Sequence, residues 1–442
     1  MADPTAPAPA PAPAPAMPRD HPQRVELNDE VHSRTAETLV APMRVSYLAL
    51  LKDGAPRERT WEAISALAER YGAPPPPLSA YHSSADLGPF RVKWERHTEF
   101  TRYQFNVPGL GEDPFAEPAV AAVPPDWLTA LPGQVIAATH VALLPAGAET
   151  LDADALSDRL FGGNMLVGST TLGAAATALT DFRIHADGFG RILVLDRSTT
   201  PRQAGRIVQR LLEIETYRML ALLAFPVART LAPFLATQER ELAAVAADLV
   251  AAGESDEPVL LDRLTNLAAE IESRESENLY RFSAAAAYYD LVRRRIAELR
   301  ERRIEGLQTF EEFTERRLAP AMATCAAAAT RQESLSLRVA RATQLLATRV
   351  DVTLERQNQA VLESMNRRVK IQLRLQTTVE GLSVAALTYY VVALVGDAAK
   401  GAKAGGLLID PELTMGLSVP VVALLAALGV RSIRRMVARK AS

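Results

Sequence analysis

Two groups of polar residues have the residue types and spacing that metal binding, proton transfer or ion passage would require. The first lies in the segment HPQRVELNDEVHSR, where His21 and His32 stand near Glu30 and Arg34. Histidines beside carboxylates bind metal ions or transfer protons in many proteins. A segment this dense in polar groups equally serves to cap a domain through hydrogen bonds and ion pairs. We favour this structural interpretation of the polar cluster, and metal binding stays open.

The second group lies in the C-terminal third of the chain, where Asn358, Gln372 and Gln376 interrupt an apolar stripe. Polar residues inside an apolar helical seam set the register of associating helices, and they can equally line a water-filled axis. Gly396 and Asp397 follow an apolar run in the same region. These five residues are therefore candidate pore or register positions.

Motifs of the common enzyme classes do not occur in the sequence. It contains no HExxH, GxSxG or P-loop pattern, and the glycines of the FGGNMLVG segment lack phosphate-loop spacing. The 6 histidines are scattered, and the single cysteine, Cys325, lies in an alanine-rich stretch. We assign no catalytic or cofactor-binding residue, leave the cofactor unknown and expect a protein that is not an enzyme.

Composition restricts the classes of partner. The 442-residue chain carries 49 Lys and Arg against 52 Asp and Glu, a formal net charge of -3. Because no excess of basic residues is available to neutralise phosphates, we expect no nucleic-acid partner. Arginine outnumbers lysine and alanine is abundant, as in GC-rich bacterial genomes. One cysteine cannot form a disulfide within the chain, which fits a reducing cytoplasm.

The polar cluster opens a predicted α/β domain. Residues 1–20, rich in Ala and Pro, predict an extended, disordered tail without a signal peptide. Residues 21–199 predict the α/β domain itself. Within it, residues 42–51 and 133–144 are typical of strands, and residues 56–71 have the apolar spacing of a helix.

Two hairpins are predicted in the same domain. Residues 90–107 alternate between apolar and charged side chains, which indicates a hairpin with one face exposed to solvent. The segment IHADGFGRILVL indicates a second hairpin with Asp187 and Gly188 at the turn. This interpretation places His185 on a strand.

Residues 200–378 predict several long, coiled-coil-like helices. The first is opened by Thr200 as the cap, and its arginines and glutamates can form ion pairs on the helix or between helices. The last helix begins at about Gln332. No Gly or Pro separates it from the apolar run that follows, so we expect one continuous helix.

Residues 379–430 predict a transmembrane hairpin. Two apolar runs, about 379–395 and 413–430, are just long enough to cross a hydrocarbon core of ~30 Å. The outer flanks are rich in Lys and Arg: Arg367, Arg368, Lys370, Arg374, Arg431, Arg434, Arg435, Arg439 and Lys440. The positive-inside rule then places both chain ends in the cytoplasm, with residues 431–442 as a basic tail. A buried hairpin of a soluble domain is the alternative, and the basic flanks favour the membrane.

The predicted fold class is an α+β cytoplasmic domain followed by long α-helices and a C-terminal two-helix transmembrane hairpin. The expected location is the inner membrane of a bacterium. The lipid bilayer is one expected partner, and other copies of the chain are the second. Small residues in both apolar runs, such as Gly381 and Gly416, permit close helix contact, and the long helices offer a further surface for homo-oligomers.

Four segments resemble a known bacterial family. They are HPQRVELNDEVHSR, TDFRIHADGFGRILVLD, AGRIVQRLLEIETYRMLALLAFPVAR and the stretch from RVDVTLERQNQ through VVALVG. In these the chain resembles domain-of-unknown-function family 3422, a group described as predicted membrane-anchored proteins. The resemblance covers nearly the whole chain after the tail and implies anchoring to a membrane. It implies no catalytic residues.

The two-span layout is also similar, in architecture, to CorA-type divalent-cation channels. In that superfamily a Gly-Met-Asn signature closes the first span and positions hydrated magnesium. Here the equivalent place reads Val395-Gly396-Asp397-Ala398, so only the glycine matches. This departure argues against magnesium selectivity.

These observations predict a membrane-anchored oligomeric scaffold or sensor whose ligand is unknown. The alternative is a CorA-like homo-oligomeric cation channel or transporter, which would require oligomers because a single hairpin cannot enclose a pore. A membrane-anchored enzyme is the second alternative, and no motif supports it.

Overall fold

The computed structural model describes residues 18–24, 27–28, 35–52, 54, 56–109, 113–147, 152–251, 253, 255–406 and 408–440. The chain forms two compact units. The first unit comprises Met1–Ala246 and Leu264–Ala340, and the second comprises Ala247–Arg263 and Arg341–Ser442. The domain boundaries at residues 199 and 378 stay a prediction.

The first unit is built on a mixed sheet, which has nine strands in its described part, in the order β2-β3-β4-β1-β5-β8-β7-β6-β9. The strands are β1 Met43–Leu51, β2 His82–Asp86, β3 Arg91–Arg96, β4 Phe100–Pro108, β5 Gln134–Pro145, β6 Val167–Thr171, β7 Ala176–Thr180, β8 Gly190–Asp196 and β9 Arg302–Arg303. Among these, β5 and β8 pair in parallel, and every other neighbouring pair is antiparallel.

Helices pack on both faces of the β1–β5 part of the sheet and make up most of the chain after residue 200. They are α1 Arg57–Arg70, α2 Pro125–Thr129, α3 Ala153–Leu160, α4 Pro201–Leu222, α5 Ala224–Ala251, α6 Glu257–Leu299, α7 Phe310–Arg317, α8 Ala319–Ala404 and α9 Pro411–Lys440. The strands predicted at 42–51 and 133–144 are confirmed as β1 and β5, and the helix predicted at 56–71 is confirmed as α1.

One face of the sheet carries an aromatic core. Trp94, Tyr103 and Phe105 from β3 and β4 are fully buried together with Leu67 of α1. Tyr103 meets Trp127 edge to face, with ring centroids 5.6 Å apart. Burying a large apolar side chain contributes roughly 1.5–3 kcal/mol, so this cluster anchors α1 and α2 to the sheet.

The prediction that the hairpin of residues 90–107 exposes one face is wrong. The hairpin itself is present as β3 and β4, but its charged face is also buried, and Glu95 is only 2% exposed. The reason is a second layer, because α4 lies over this face. Arg102 of β4 reaches Glu213 of α4, and Tyr47 of β1 lies within hydrogen-bond distance of Thr216, at 2.8 Å.

The prediction that His185 lies on a strand is also wrong. The predicted turn is present, since the Gly188 N–H donates to the His185 carbonyl at 2.9 Å, but the residues before it form a loop. The side chain of Asp181 accepts from the Arg183 N–H at 3.1 Å and lies 3.0 Å from His185 Nε2. These contacts accompany a turn of the chain out of the sheet at Asp181, and β8 pairs with β7.

The start of α4 is fixed by its cap and by a close crossing. Thr200 accepts from the Gln203 N–H in a capping box, as the predicted cap requires. The segment 35–39 then crosses the helix at Gly205, where an added Cβ would lie 1.7 Å from the Glu37 carbonyl oxygen. Glycine is therefore required here for two backbones to approach each other.

The helix predicted to continue into the first apolar run is confirmed as α8, a single helix of 86 residues. It begins in the first unit, where Met322 and Leu335 are buried, and ends in the second unit at Ala404. Gly396 and Asp397 consequently lie inside the helix, whereas the sequence suggested a connection after it. The helix continues because the sequence after residue 395 remains rich in alanine and lysine, which favour helices.

Three helical stretches in the described residues are long and apolar enough to cross a membrane, judged by length and composition. They are Pro201–Ala251, Ala319–Ala404 and Pro411–Ile433. The most apolar window of the first is 33% buried inside the protein, whereas the windows of the other two are 11% and 6% buried. Protein therefore covers about a third of the apolar window in the first stretch and little of the windows in the other two.

Candidate functional site

The polar face of the sheet carries a buried network of charges centred on Glu95. Lys93 Nζ lies 2.9 Å from one carboxylate oxygen of Glu95, and Arg102 Nε donates to the other. His97 Nε2 lies 3.8 Å away. Lys93 also donates to the Thr35 carbonyl at 2.6 Å, which ties the segment crossing α4 to the network.

Glu213 of α4 joins this network to the surface. One of its carboxylate oxygens accepts from Arg102 at 3.3 Å and from Gln209 at 2.8 Å. Its other oxygen accepts from Arg295 of α6. Arg295 in turn donates to Glu298 at 2.9 Å, and Glu298 also accepts from Arg210 at 2.9 Å. Charges of alternating sign thus run from the sheet to the protein surface.

The electrostatics hold these groups ionised. Burial acts to raise the pKa of Glu95, but the nearby Arg102, His97 and Lys93 outweigh it, so this pKa lies far below its usual range. Glu213 follows the same pattern, because burial is outweighed by Arg102 and Arg295 and its pKa is lowered. The network consequently fixes α4 and α6 on the sheet and is not poised for proton transfer near neutral pH.

The network opens into a cleft of about 680 Å³. We call it the arginine cleft and define it by Arg202, Arg206, Arg210, Arg295, Glu213, Glu298, Gln209, Thr35, Ala36 and Thr38. Three of its arginines follow one another at four-residue intervals along α4, so they lie on one face of the helix. The cleft therefore has an excess of positive charge.

A serine, a histidine and an aspartate come together elsewhere in the sheet. Ser46 Oγ lies 2.9 Å from His140 Nδ1, and His140 Nε2 lies 3.9 Å from Asp187. Ser46 is fully buried and also accepts the Val120 N–H at 2.9 Å, while the Phe189 ring stacks on the imidazole. A nucleophile needs access to its substrate, so this triad packs the sheet and does not form a catalytic centre.

The polar cluster predicted at the start of the α/β domain is placed only in part. His21 is exposed, and its Nδ1 accepts the Gln23 N–H at 3.2 Å. Glu30, His32 and Arg34 lie outside the described residues. Among the residues that the structure describes, no group of three His, Cys, Asp or Glu side chains is placed to hold a metal ion.

The candidate pore or register positions all lie on α8. Asn358, Gln372 and Gln376 are exposed, and Gln376 Nε2 donates to Glu380 at 3.3 Å. Asp397 lies 3.3 Å from Lys400 on the surface of the same helix. Their role in a pore or in helix register stays a prediction.

Gly396 has a packing role within the second unit. A Cβ at this position would lie 2.7 Å from the Met415 sulfur of α9. Val392 and Ala399, on the same face of α8, are also buried. Small residues allow close contact between helices, so Gly396 lets α8 and α9 pack as a hairpin.

A family model matches residues 19–437 of the chain, and its description is "Protein of unknown function (DUF3422)". The chain belongs to the DUF3422 family. No curated protein and no solved structure matches it. The resemblance to this family is thereby confirmed, and the architectural likeness to CorA-type channels stays an expectation.

The sequence did not reveal the central residues of the network. The alternation of residues 90–107 predicts a solvated charged face, which would include Glu95 and Arg102, because alternation alone does not show that another layer covers that face. Ion pairs from the first long helix were expected, and the pairs of Arg210 and Glu213 with α6 confirm them. The i, i+4, i+8 spacing of the cleft arginines was the one signal in the sequence that pointed here.

Proposed function

We propose that this protein is a membrane-anchored oligomeric scaffold or sensor whose α/β body lies in the cytoplasm and whose α8–α9 hairpin enters the bilayer. The observation that carries the proposal is the exposure of apolar side chains on both helices. Leu382, Tyr389 and Leu424 are 74%, 72% and 63% exposed. Leaving such surfaces in water is unfavourable, and a hydrocarbon core would cover them.

The charges at the ends of the two apolar stretches support the same arrangement. Lys and Arg accumulate before the first stretch and after the second, while the connection between them contains Asp410 and Glu412 as well as lysines. Asp410 caps α9, since its carboxylate accepts the Glu412 N–H at 3.0 Å. The basic flanks favour a cytoplasmic location for both ends of the hairpin.

The segment of α8 before the membrane supports the oligomeric part of the proposal. Residues 354–379 are exposed along their whole length. One face of this segment carries an apolar stripe: Leu354, Val361, Met365, Val369 and Val379. The opposite face carries charged residues such as Arg356, Glu363 and Arg367. An amphipathic helix with its apolar face in water needs a partner helix.

The spacing of this stripe favours copies of the same helix. Val350, Val361 and Gln372 follow one another at intervals of 11 residues, and Leu354 and Met365 are separated by the same interval. Such repeats keep one face in contact along bundles of helices that are nearly straight or supercoil to the right. Copies anchored in one bilayer by the same hairpin present parallel helices, which is the arrangement that these repeats fit.

Membrane extraction tests the proposal. We expect the full-length chain to sediment with membranes and to resist washing at alkaline pH. The double substitution Leu387→Arg and Leu424→Arg should remove it from the membrane fraction, because each arginine costs about 2.5–3.5 kcal/mol at mid-bilayer.

The matched control is Leu279→Arg with Leu345→Arg. Both leucines are exposed, at 64% and 73%, and both lie outside the apolar stretches. This variant should remain in the membrane fraction. Complete extraction of the unaltered chain by the alkaline wash would contradict the proposal.

A further inference from the structure

We infer that the arginine cleft binds a small molecule carrying at least two negative charges of the phosphate type. Four arginines line the cleft against two glutamates. The planar guanidinium group donates two parallel hydrogen bonds to phosphate oxygens, a geometry that a lysine cannot provide. The cleft volume of about 680 Å³ lies within the range of small-molecule sites, so it accommodates more than a single phosphate group.

Arg202 and Arg206 supply the open donors. Both are exposed, and neither is paired with another residue in the described part of the chain. They stand one helical turn apart, a separation of about 5–6 Å between their Cβ atoms. Two phosphoryl groups joined in one molecule fit this spacing. The residues also lie in the first two turns of α4, where the helix dipole favours negative charge.

The remaining two arginines are held in place at the back of the cleft. Arg210 and Arg295 both donate to Glu298 at 2.9 Å. Glu298 is the more exposed of the two cleft carboxylates, at 41% against 5% for Glu213. An incoming anion therefore competes with Glu298 for these two guanidinium groups.

The buried network keeps Glu213 from opposing the ligand. Its carboxylate is already bonded to Arg102 from the sheet side, to Arg295 from α6 and to Gln209 from α4. The negative charge of Glu213 is thus neutralised by its partners in the network. This arrangement leaves Arg202 and Arg206 as an uncompensated cationic surface at the mouth of the cleft.

This inference supplies a ligand class for the proposed sensor, and it rests on that proposal for its biological role but not for the binding itself. The two can fail separately. A chain that stays in membranes but binds no anion overturns the inference alone. A chain that binds the anion but is extracted from membranes overturns the proposed function alone.

Calorimetric titration of the full-length chain in mild detergent, at constant ionic strength, tests the inference. Pyrophosphate is the probe, citrate tests whether carboxylates replace phosphoryl groups, and sodium chloride measures non-specific screening. We expect pyrophosphate to bind at one site per chain and more tightly than citrate. The double substitution Arg202→Gln and Arg206→Gln should weaken binding about 10-fold or more, because charge-assisted hydrogen bonds are lost.

Two further variants separate a binding site from general positive charge. Arg316→Gln with Arg317→Gln removes the same charge from the exposed last turn of α7 and should leave affinity unchanged. Glu298→Gln should tighten binding several-fold, because the competing carboxylate is removed. Equal weakening by both arginine pairs, or pyrophosphate binding no tighter than chloride, would overturn the inference.

Discussion

At the scale of single residues, Glu95 is the group on which the buried charges of the sheet converge. Its carboxylate is the shared counter-charge of Lys93 and Arg102, and all three side chains are buried. Removing one member of a buried ionic cluster leaves the others uncompensated in a medium that solvates them poorly. Substitutions in the network should therefore lower the stability of the first unit more than substitutions in exposed ion pairs.

The substitution Glu95→Gln should lower the free energy of unfolding of the first unit by about 3–5 kcal/mol, because buried Lys93 loses its carboxylate and Arg102 keeps only Glu213, 3.3 Å away. Denaturant unfolding followed by tryptophan fluorescence measures this effect, since Trp94 neighbours the site. Glu277→Gln is the control. Its partner Arg274 lies 3.2 Å away on an exposed helix face, and its removal should cost less than about 1 kcal/mol. Similar losses for the two variants would contradict this account.

His140 makes the stability of the first unit depend on pH. Burial lowers its pKa from 6.5 to about 4. Between these two values the unfolded chain binds a proton that the folded chain does not, so stability falls as pH decreases from about 6.5 to about 4. A shift of this size corresponds to about 3 kcal/mol.

The free energy of unfolding measured across this pH range should therefore contain a pH-dependent contribution from His140. The substitution His140→Gln should abolish this contribution, whatever it does to stability at neutral pH. His82 is exposed, so His82→Gln should leave the pH dependence intact. An unchanged slope in His140→Gln would rule out this histidine as its source.

At the scale of elements, the exposed stripe of α8 lies between the buried start of the helix in the first unit and the apolar stretch. Val361→Glu with Met365→Glu places two charges in the stripe and should dissociate the oligomer by desolvation and like-charge repulsion. Light scattering in mild detergent measures the mass of the particle. Gln359→Glu with Asn366→Glu adds the same charge on the other side of the helix and should leave the mass unchanged. A stable monomer formed by the unaltered chain would contradict the oligomer.

Sequence patterns predict which helices and strands form better than they predict which faces of those elements are buried. The continuity of α8 could be predicted because helix breaks have local causes, and neither Gly nor Pro occurs from residue 332 to residue 380. The buried face of β3 and β4 could not be predicted. Its cover, α4, is contributed by residues about 100 positions later, and the charges on both elements resemble those of solvated surfaces.

In the candidate site, too, the local spacing of residues could be predicted and their tertiary contacts could not. The arginines of α4 are visible in the sequence as charged residues at helical spacing, but Arg295 and Glu298, which complete the cleft, lie far away in sequence on α6. Such convergence depends on tertiary packing and leaves no local signal. The loop at His185 could not be predicted for a related reason, because the Asp181 side chain accepts the Arg183 N–H at the end of the strand, and alternation does not encode such a contact.

At the scale of the whole molecule, we propose that α8 and α9 enter a bilayer with the body on the cytoplasmic side. One helix then carries residues from the buried core at Met322 to the apolar stretch and to Gly396. Because α8 contains no break, the proposed oligomer contacts and the proposed membrane span lie on the same helix.

The most direct test is cysteine labelling in spheroplasts with a maleimide that does not cross membranes. The single native cysteine is first removed by Cys325→Ser, and Gly405→Cys or Gln359→Cys is then introduced at exposed positions. We predict that Gly405→Cys, in the connection between the helices, is labelled in intact spheroplasts, and that Gln359→Cys is labelled only after lysis. Labelling of both positions before lysis, or of both only after lysis, would contradict a hairpin that spans the membrane.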